Sequence, residues 1–194
     1  MEISSTQLKE LRDVTGVSVM QCKKALEEAG GDMEKALIIL RKKGSEAAAK
    51  KGDRTLGAGA VGAYVHNTHE VASMVALSSE TDFVAKNEEF IALARDLAMQ
   101  VAATAPKYIS REEISEHDIE KAKEVFAGEV AGKPEDLKEK ILAGKLDAYF
   151  KDQVLLEQEY IKDPSRTITT LINDAIQKFG ERIVVAQMSR LSVK

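Results

Sequence analysis

The chain has 194 residues, a net charge of −4 and 31% charged residues, an acidic balance that argues against a general nucleic-acid binder. No apolar run approaches the roughly 20 residues that a membrane span needs, and the lone Cys22 excludes an intrachain disulfide and fits a reducing cytoplasm. Aromatic residues are 5% of the chain and tryptophan is absent, so a core must rest on Leu, Ile, Val, Met and Ala.

The start, Met1-Glu2-Ile3-Ser4, is polar and is not expected to be a signal peptide. Residues 1–40 then read as three short helices. Ser4 with Gln7 forms a capping box ahead of Leu8, Leu11 and Val14 at helical spacing. Thr15-Gly16-Val17 breaks that pattern. Ser18 with Gln21 starts a second helix, whose apolar face is Cys22, Ala25, Leu26 and Ala29 and whose left-handed stop is Gly30. Asp32 caps a third helix carrying Met33, Ala36, Leu37 and Leu40.

Residues 41–57 are rich in Lys, Arg, Ala and Gly and show no apolar face. They read as a basic linker, partly helical through Ala47-Ala48-Ala49. Its cations invite an RNA-binding reading, but the aromatics of a stacking surface are missing. A hairpin follows: Val61, Ala63 and Val65 alternate with small or polar residues, Asn67-Thr68-His69-Glu70 supplies the turn, and Val71, Ser73, Val75 and Leu77 alternate on the return. His66 and His69 flank the turn without the surrounding ligands of a metal site. Gly57-Ala58-Gly59-Ala60-Val61-Gly62 has the glycine spacing of a dinucleotide fingerprint but precedes a strand instead of joining strand to helix.

The hairpin runs into Ser79-Glu80-Thr81-Asp82-Phe83-Val84-Ala85-Lys86-Asn87. Ser79, Thr81 and Asp82 can each cap a helix, and Glu80, Asp82, Glu88 and Glu89 place negative charge where a helix dipole favours it. Asn87 is a second cap, so a short helical turn should precede a longer helix. Phe83 is either a core anchor, which pattern alone favours, or an exposed wedge beside Asp82.

Phe90, Ala94, Leu97, Ala98 and Val101 line the long helix, which should stop near Pro106. Ser110 and Glu113 suggest another capping box, with Ile119, Ala122 and Phe126 on a helix behind it. Residues 112–139 are strongly acidic. Pro134 fits the first position of a helix bearing Leu137, Ile141 and Leu142 and closed by Gly144. Leu171, Ala175, Ile176 and Phe179 line a last helix stopped by Gly180, and Ile183 to Met188 reads as a third strand completing the sheet. The expected fold class is α+β: a three-helix module over 1–40, a basic linker over 41–57, and a small antiparallel sheet packed with helices over 58–194.

Leu11-Arg12-Asp13-Val14-Thr15-Gly16, then Cys22-Lys23-Lys24-Ala25-Leu26, Gly31-Asp32 and Lys35-Ala36, resemble the N-terminal module of the elongation factor Ts family. Thr81 to Asn87 resembles its second hallmark, and Leu155 to Ser165 matches its Leu-Leu-Glu-Gln and Lys-Asp-Pro-Ser pattern. The likeness covers nearly the whole chain. It departs at Ala76, Ser78 and Ser79, where the family usually has Glu, Asn and Cys. A second half of the core and a coiled-coil insertion, present in longer members, are not legible here.

The resemblance implies a ubiquitin-associated-like fold for 1–40 and a guanine-nucleotide exchange factor for elongation factor Tu. Such a factor needs no catalytic residue: binding the nucleotide-free partner more tightly than the GDP form weakens GDP binding by the same factor. In the family the Thr-Asp-Phe-Val element enters the GTPase domain near its magnesium ion and helps dislodge it. The resemblance gives that role to Thr81, Asp82, Phe83 and Val84, with Phe83 as wedge, and a secondary contact to the Arg12 side of the first helix. It also implies a homodimer. No enzymatic chemistry, cofactor, bound metal, direct nucleic acid or membrane contact is expected. Two rival readings are a peptide-binding module in residues 1–40 and RNA binding through 41–54.

Overall fold

A computed structural model describes residues 3–130 and 134–194. Helices α1 (Ser5–Thr15), α2 (Val19–Glu28) and α3 (Met33–Ala49) open the chain. The Ser4 hydroxyl accepts from the Gln7 amide at 3.1 Å while the Gln7 side chain accepts from the Ser4 amide at 3.2 Å, the reciprocal box that the spacing predicts. The Ser18 and Asp32 side chains accept from the Gln21 and Lys35 amides at the starts of α2 and α3, as one-way caps. Gly16 and Gly30 both take positive φ, ending the first two helices. Leu11, Val17, Cys22, Ala25, Leu26, Ala36 and Leu40 form one buried cluster. Val14 departs from its expected place on that face and is 70% exposed.

The third helix does not stop at residue 40. It runs to Ala49, and its second half packs on the helix α8 described below. Gly44 is buried there, next to the Asn173 carbonyl, and Asn173 donates to the Ser45 hydroxyl at 3.2 Å. Close helix approach uses small side chains, so this face shows no run of large apolar residues. Of the residues read as linker, only those past Ala49 lie outside the helix.

Strands β1 (Ala58–Val65), β2 (Val71–Ser79) and β5 (Val184–Ser192) form an antiparallel sheet in the order β1-β2-β5. The closing strand expected at 183–188 is thus present and longer. Between β2 and β5 come α4 (Asp82–Ala85), α5 (Glu88–Thr104), a 3₁₀ turn at Arg111–Glu113, α6 (Glu116–Val130), α7 (Glu135–Gln153), a second 3₁₀ turn at Leu155–Glu157, the short strands β3 (Glu159–Tyr160) and β4 (Asp163–Thr167), and α8 (Ile168–Phe179).

Alternation puts Ser73, Val75 and Leu77 of β2 on the inner face, against α5. There Phe90, Leu93, Ala94, Leu97, Ala98 and Val101 join Ile168, Ile172 and Ile176 of α8 in a second buried cluster. Phe90 meets Phe179 edge to face at 6.1 Å. The Ser73 hydroxyl donates to the Ala98 carbonyl at 2.5 Å, so its burial leaves no unpaired donor.

Three sequence expectations need correction here. Ser110 makes no capping bond. Ser115 instead accepts from the Asp118 amide at the start of α6, and Glu113 accepts from the Ile109 amide. Pro134 occupies the cap position, with α7 starting after it. Gly144 does not close α7, which continues to Gln153. α6 and α7 pack antiparallel, with Phe126 against Tyr149 at 5.6 Å, Lys145 paired with Glu129, and Phe150 buried. That tertiary contact outweighs the propensity of one exposed glycine, worth about 1 kcal/mol.

At Gly62 the α5 backbone lies directly on β1. A β-carbon there would overlap the carbonyl of Ala94 and the amide of Arg95. Gly62→Ala should therefore destabilise the fold by about 1–3 kcal/mol, the usual range for overpacking. Urea unfolding should show a lower midpoint at unchanged slope; a variant as stable as wild type would mean that α5 does not ride on β1.

Candidate partner-binding site

β2 ends at Ser79, which is fully buried and donates from its hydroxyl to the Thr81 carbonyl at 3.0 Å. Thr81 is extended, and the single turn of α4 follows. Successive helical residues point about 100° apart, so with Val84 and Ala85 both turned to the core, Phe83 lies about 200° from Ala85, on the opposite side of the turn. Val84 is 4% exposed and belongs to the second core cluster, whereas Phe83 is 83% exposed. The core-anchor reading of Phe83 is thus overturned: Val84 and Ala85 are the anchors and Phe83 is presented to solvent. Val84 ties the turn to the second core cluster.

Asp82 stands beside it and pairs with Lys86 at 2.6 Å, both largely exposed. The hydrogen bond and charge of Lys86 hold the Asp82 carboxyl below the usual aspartate range, and Asp82 raises Lys86 in turn. Asp82 is ionised at neutral pH, and its pair with Lys86 is open to solvent.

None of the three expected capping side chains caps α4. Thr81 sits at the cap position, yet its hydroxyl donates to Glu181 at 2.5 Å and its amide donates to the same carboxylate at 3.0 Å. Glu181 lies at the far end of the sequence, and no local spacing announces it. Asn87 caps α5 through the Glu89 amide, as expected.

Arg12 is exposed in the last turn of α1, within the other buried cluster's unit, and its carbonyl accepts from the Gly16 amide. Val14, Val19 and Met20 are exposed on the same three-helix unit. Helical spacing groups Val14 with Leu8 and Leu11, and Val19 and Met20 fall outside the apolar face of Cys22, Ala25, Leu26 and Ala29.

His66 accepts from or donates to Tyr64 at 3.0 Å, and His69 occupies the turn with φ 60°. Among the described residues no group of three or more His, Cys, Asp or Glu could hold a metal ion, and no helix is long and apolar enough to cross a membrane. The cations of 41–54 are partly engaged in the fold: Lys43 pairs with Glu28 at 2.6 Å, Lys51 donates to the Gly180 carbonyl at 2.8 Å, and Arg54 pairs with Glu80 at 3.1 Å.

What this geometry offers is a contact surface: an aromatic ring and an ionised carboxylate on one short turn, held from beneath by the core. The fold is that of an α+β protein that leaves a large aromatic ring exposed on a short turn anchored in the core. The family described as Elongation factor TS matches residues 33–194. The chain is 48% identical over 193 residues to elongation factor Ts of Thermotoga petrophila, covering 100% of this chain and 97% of that one. It is 47% identical over 191 residues to elongation factor Ts of Desulforamulus reducens, with 97% and 88% covered. Against the elongation factor Ts of Geobacter metallireducens identity is 44% over 195 residues. The chain belongs to the elongation factor Ts family, and with it to the translation elongation factors.

The electrostatics of the site are directly measurable. Because the folded-state pKa of Asp82 is depressed, its pairing with Lys86 is complete at neutral pH and is lost as pH falls through that depressed value. A carbon-detected NMR titration of the Asp82 carboxyl should find a midpoint below the ordinary aspartate range, moving back towards it in Lys86→Met. An unchanged midpoint in the variant would remove Lys86 as the cause.

Proposed function

We propose that this chain is a guanine-nucleotide exchange factor that binds elongation factor Tu and speeds release of its GDP. The observation that carries the reading is the placement of Phe83: a large apolar ring left in water on a turn fixed by Val84 and Ala85. Exposing such a ring is unfavourable, and its burial in a partner's slot recovers that free energy.

In this reading Phe83 is the wedge, and Asp82 makes polar contacts at the helix start after leaving Lys86. Thr81 sets the direction of entry, and Val84 holds the turn from beneath. Their target is the partner's magnesium and phosphate region, where loss of the ion removes a large electrostatic share of nucleotide affinity. Chemistry on a substrate is not required, because a fit that favours the empty nucleotide site weakens GDP by linkage. Such a factor would act in the cytoplasm. The three-helix unit of residues 1–40, with its own buried cluster, serves as a ubiquitin-associated-like module that adds a secondary contact through Arg12. Residues 58–194 form the core domain, and 41–57, helical as far as Ala49, join the two.

The outer face of the sheet supports a second element of this reading, a homodimer. Val61, Val65, Met74 and Leu191 are exposed there, and cross-strand pairing sets Val65 opposite Ala72 and Ala72 opposite Leu191. A contiguous apolar sheet face of this kind calls for a cover, and a second copy offers the same flat surface of small and aliphatic side chains.

Release of a fluorescent GDP from a bacterial elongation factor Tu tests the exchange role. Wild type should accelerate it strongly. Phe83→Ala should lose about 30-fold, from the roughly 2 kcal/mol or more that a buried aromatic anchor contributes. No acceleration by wild type with a cognate partner would sink the reading, and equal acceleration by both would move the mechanism off Phe83. For the dimer, sedimentation at tens of micromolar should give two chains for wild type and one for Met74→Asp, with helical content unchanged; a monomeric wild type would refute it.

A further inference from the structure

The turn that carries Phe83 is too short to hold itself. α4 has four residues, and a single helical turn has an unfavourable nucleus and does not persist on its own. Its cap residue does not cap it. Something else must fix where α4 begins and which way Phe83 points.

We propose that Glu181 is the positioning residue of this site. The proposal rests on the exchange reading for its functional consequence, though not for its structural content. One carboxylate oxygen of Glu181 accepts from the Thr81 amide at 3.0 Å and the other from the Thr81 hydroxyl at 2.5 Å. Two bonds from one planar group to one residue hold both the backbone and the side chain of Thr81. That fixes the extended conformation from which α4 departs.

Glu181 is itself held. It follows Gly180, whose positive φ ends α8, and precedes Ile183, which is buried in the second cluster. The neighbouring residues lace the same turn from the other side. Glu80 accepts from the Arg182 amide at 2.5 Å and from the Arg54 guanidinium at 3.1 and 3.2 Å. The Arg182 guanidinium donates to the Arg54 carbonyl at 2.6 Å, Lys51 donates to the Gly180 carbonyl, and the Gly57 amide donates to the Ser79 carbonyl at 3.2 Å. The Arg182 amide first, then Arg54, hold the Glu80 carboxyl below the normal glutamate range, so it is ionised wherever the brace is formed. Three segments far apart in sequence, 51–57, 79–82 and 180–182, thus converge where α4 begins. The residues past the end of α3 are a brace for the site.

Glutamate and glutamine separate a positioning role from a structural one. In Glu181→Gln the amide oxygen can still accept from the Thr81 amide, while the new NH₂ can donate to the Thr81 hydroxyl, which is able to accept. The geometry survives without the charge. In Glu181→Ala both bonds are lost. Amide hydrogen exchange in the free protein reads α4 directly, at Ala85 and Lys86, whose amides donate to the Thr81 and Asp82 carbonyls. Exchange there should speed by about tenfold in Glu181→Ala, on the scale of a lost charge-assisted bond. It should stay within about threefold of the wild-type rate in Glu181→Gln, whose neutral bonds keep about half of that strength, and amides of α5 should be unaffected in both. Acceleration of GDP release should fall by a similar factor in Glu181→Ala, through a higher KM, and return in Glu181→Gln. Wild-type protection of α4 in Glu181→Ala would overturn the proposal, as would a loss of protection spread evenly over the core. If wild type itself fails to release GDP, the exchange reading falls, while the α4 protection pattern still decides whether Glu181 positions the turn.

Discussion

The pairing of β2 with β5 is the interaction on which the rest depends. β2 is central, held on one side by β1 through a short local turn and on the other by a strand from the end of the chain. Closing so long a loop is less costly than intuition suggests, because the entropic term rises only slowly with length. Once β5 is in place, α8 just before it is drawn against α5 and α3, and the second buried cluster gains its neighbours. The same pairing delivers residues 180–182 to the end of β2, where α4 starts. The site is therefore a consequence of sheet closure, with Glu181 and Arg182 brought beside Glu80 and Thr81 by the register that sets Ser78 opposite Val184.

Burial and exposure are divided sharply along single elements. Within α4 the neighbours Phe83 and Val84 are at opposite extremes of exposure, because burying Val84 and Ala85 together turns the residue before them to the far side of the turn. Within the sheet, strand alternation sends Val75 and Leu77 inward and leaves Met74, Val61 and Val65 in water. A chain that keeps aliphatic and aromatic groups in water at two such places has surface to bury on association. An acidic total and scattered lysines keep the rest of its surface solvated.

The basic stretch shows how composition and role can part. By composition alone its lysines and arginines read as a solvated connector or a nucleic-acid contact. In the fold, Gly44 and Ala48 belong to a helix interface, and Lys51 and Arg54 tie the chain to the far end of α8 and to Glu80. An interface of small residues leaves no periodic signal of large apolar side chains, and ion pairs between distant segments leave none at all.

Local chemistry by itself determined much of this protein. The caps at Ser4, Ser18, Asp32 and Asn87, the left-handed stops at Gly16, Gly30 and Gly180, and the alternation in the hairpin all act over a few residues, so they could be read from the chain. So could the short turn of helix at Asp82–Ala85 and the strand after Gly180. Tertiary structure alone decided that Phe83 faces water and Val84 the core, that Val14 lies outside, and that α3 and α7 run past their expected ends. It alone decided that Glu181 holds Thr81. Each of those outcomes depends on which distant segment lies alongside, and a residue's nearest neighbours in sequence carry no record of that.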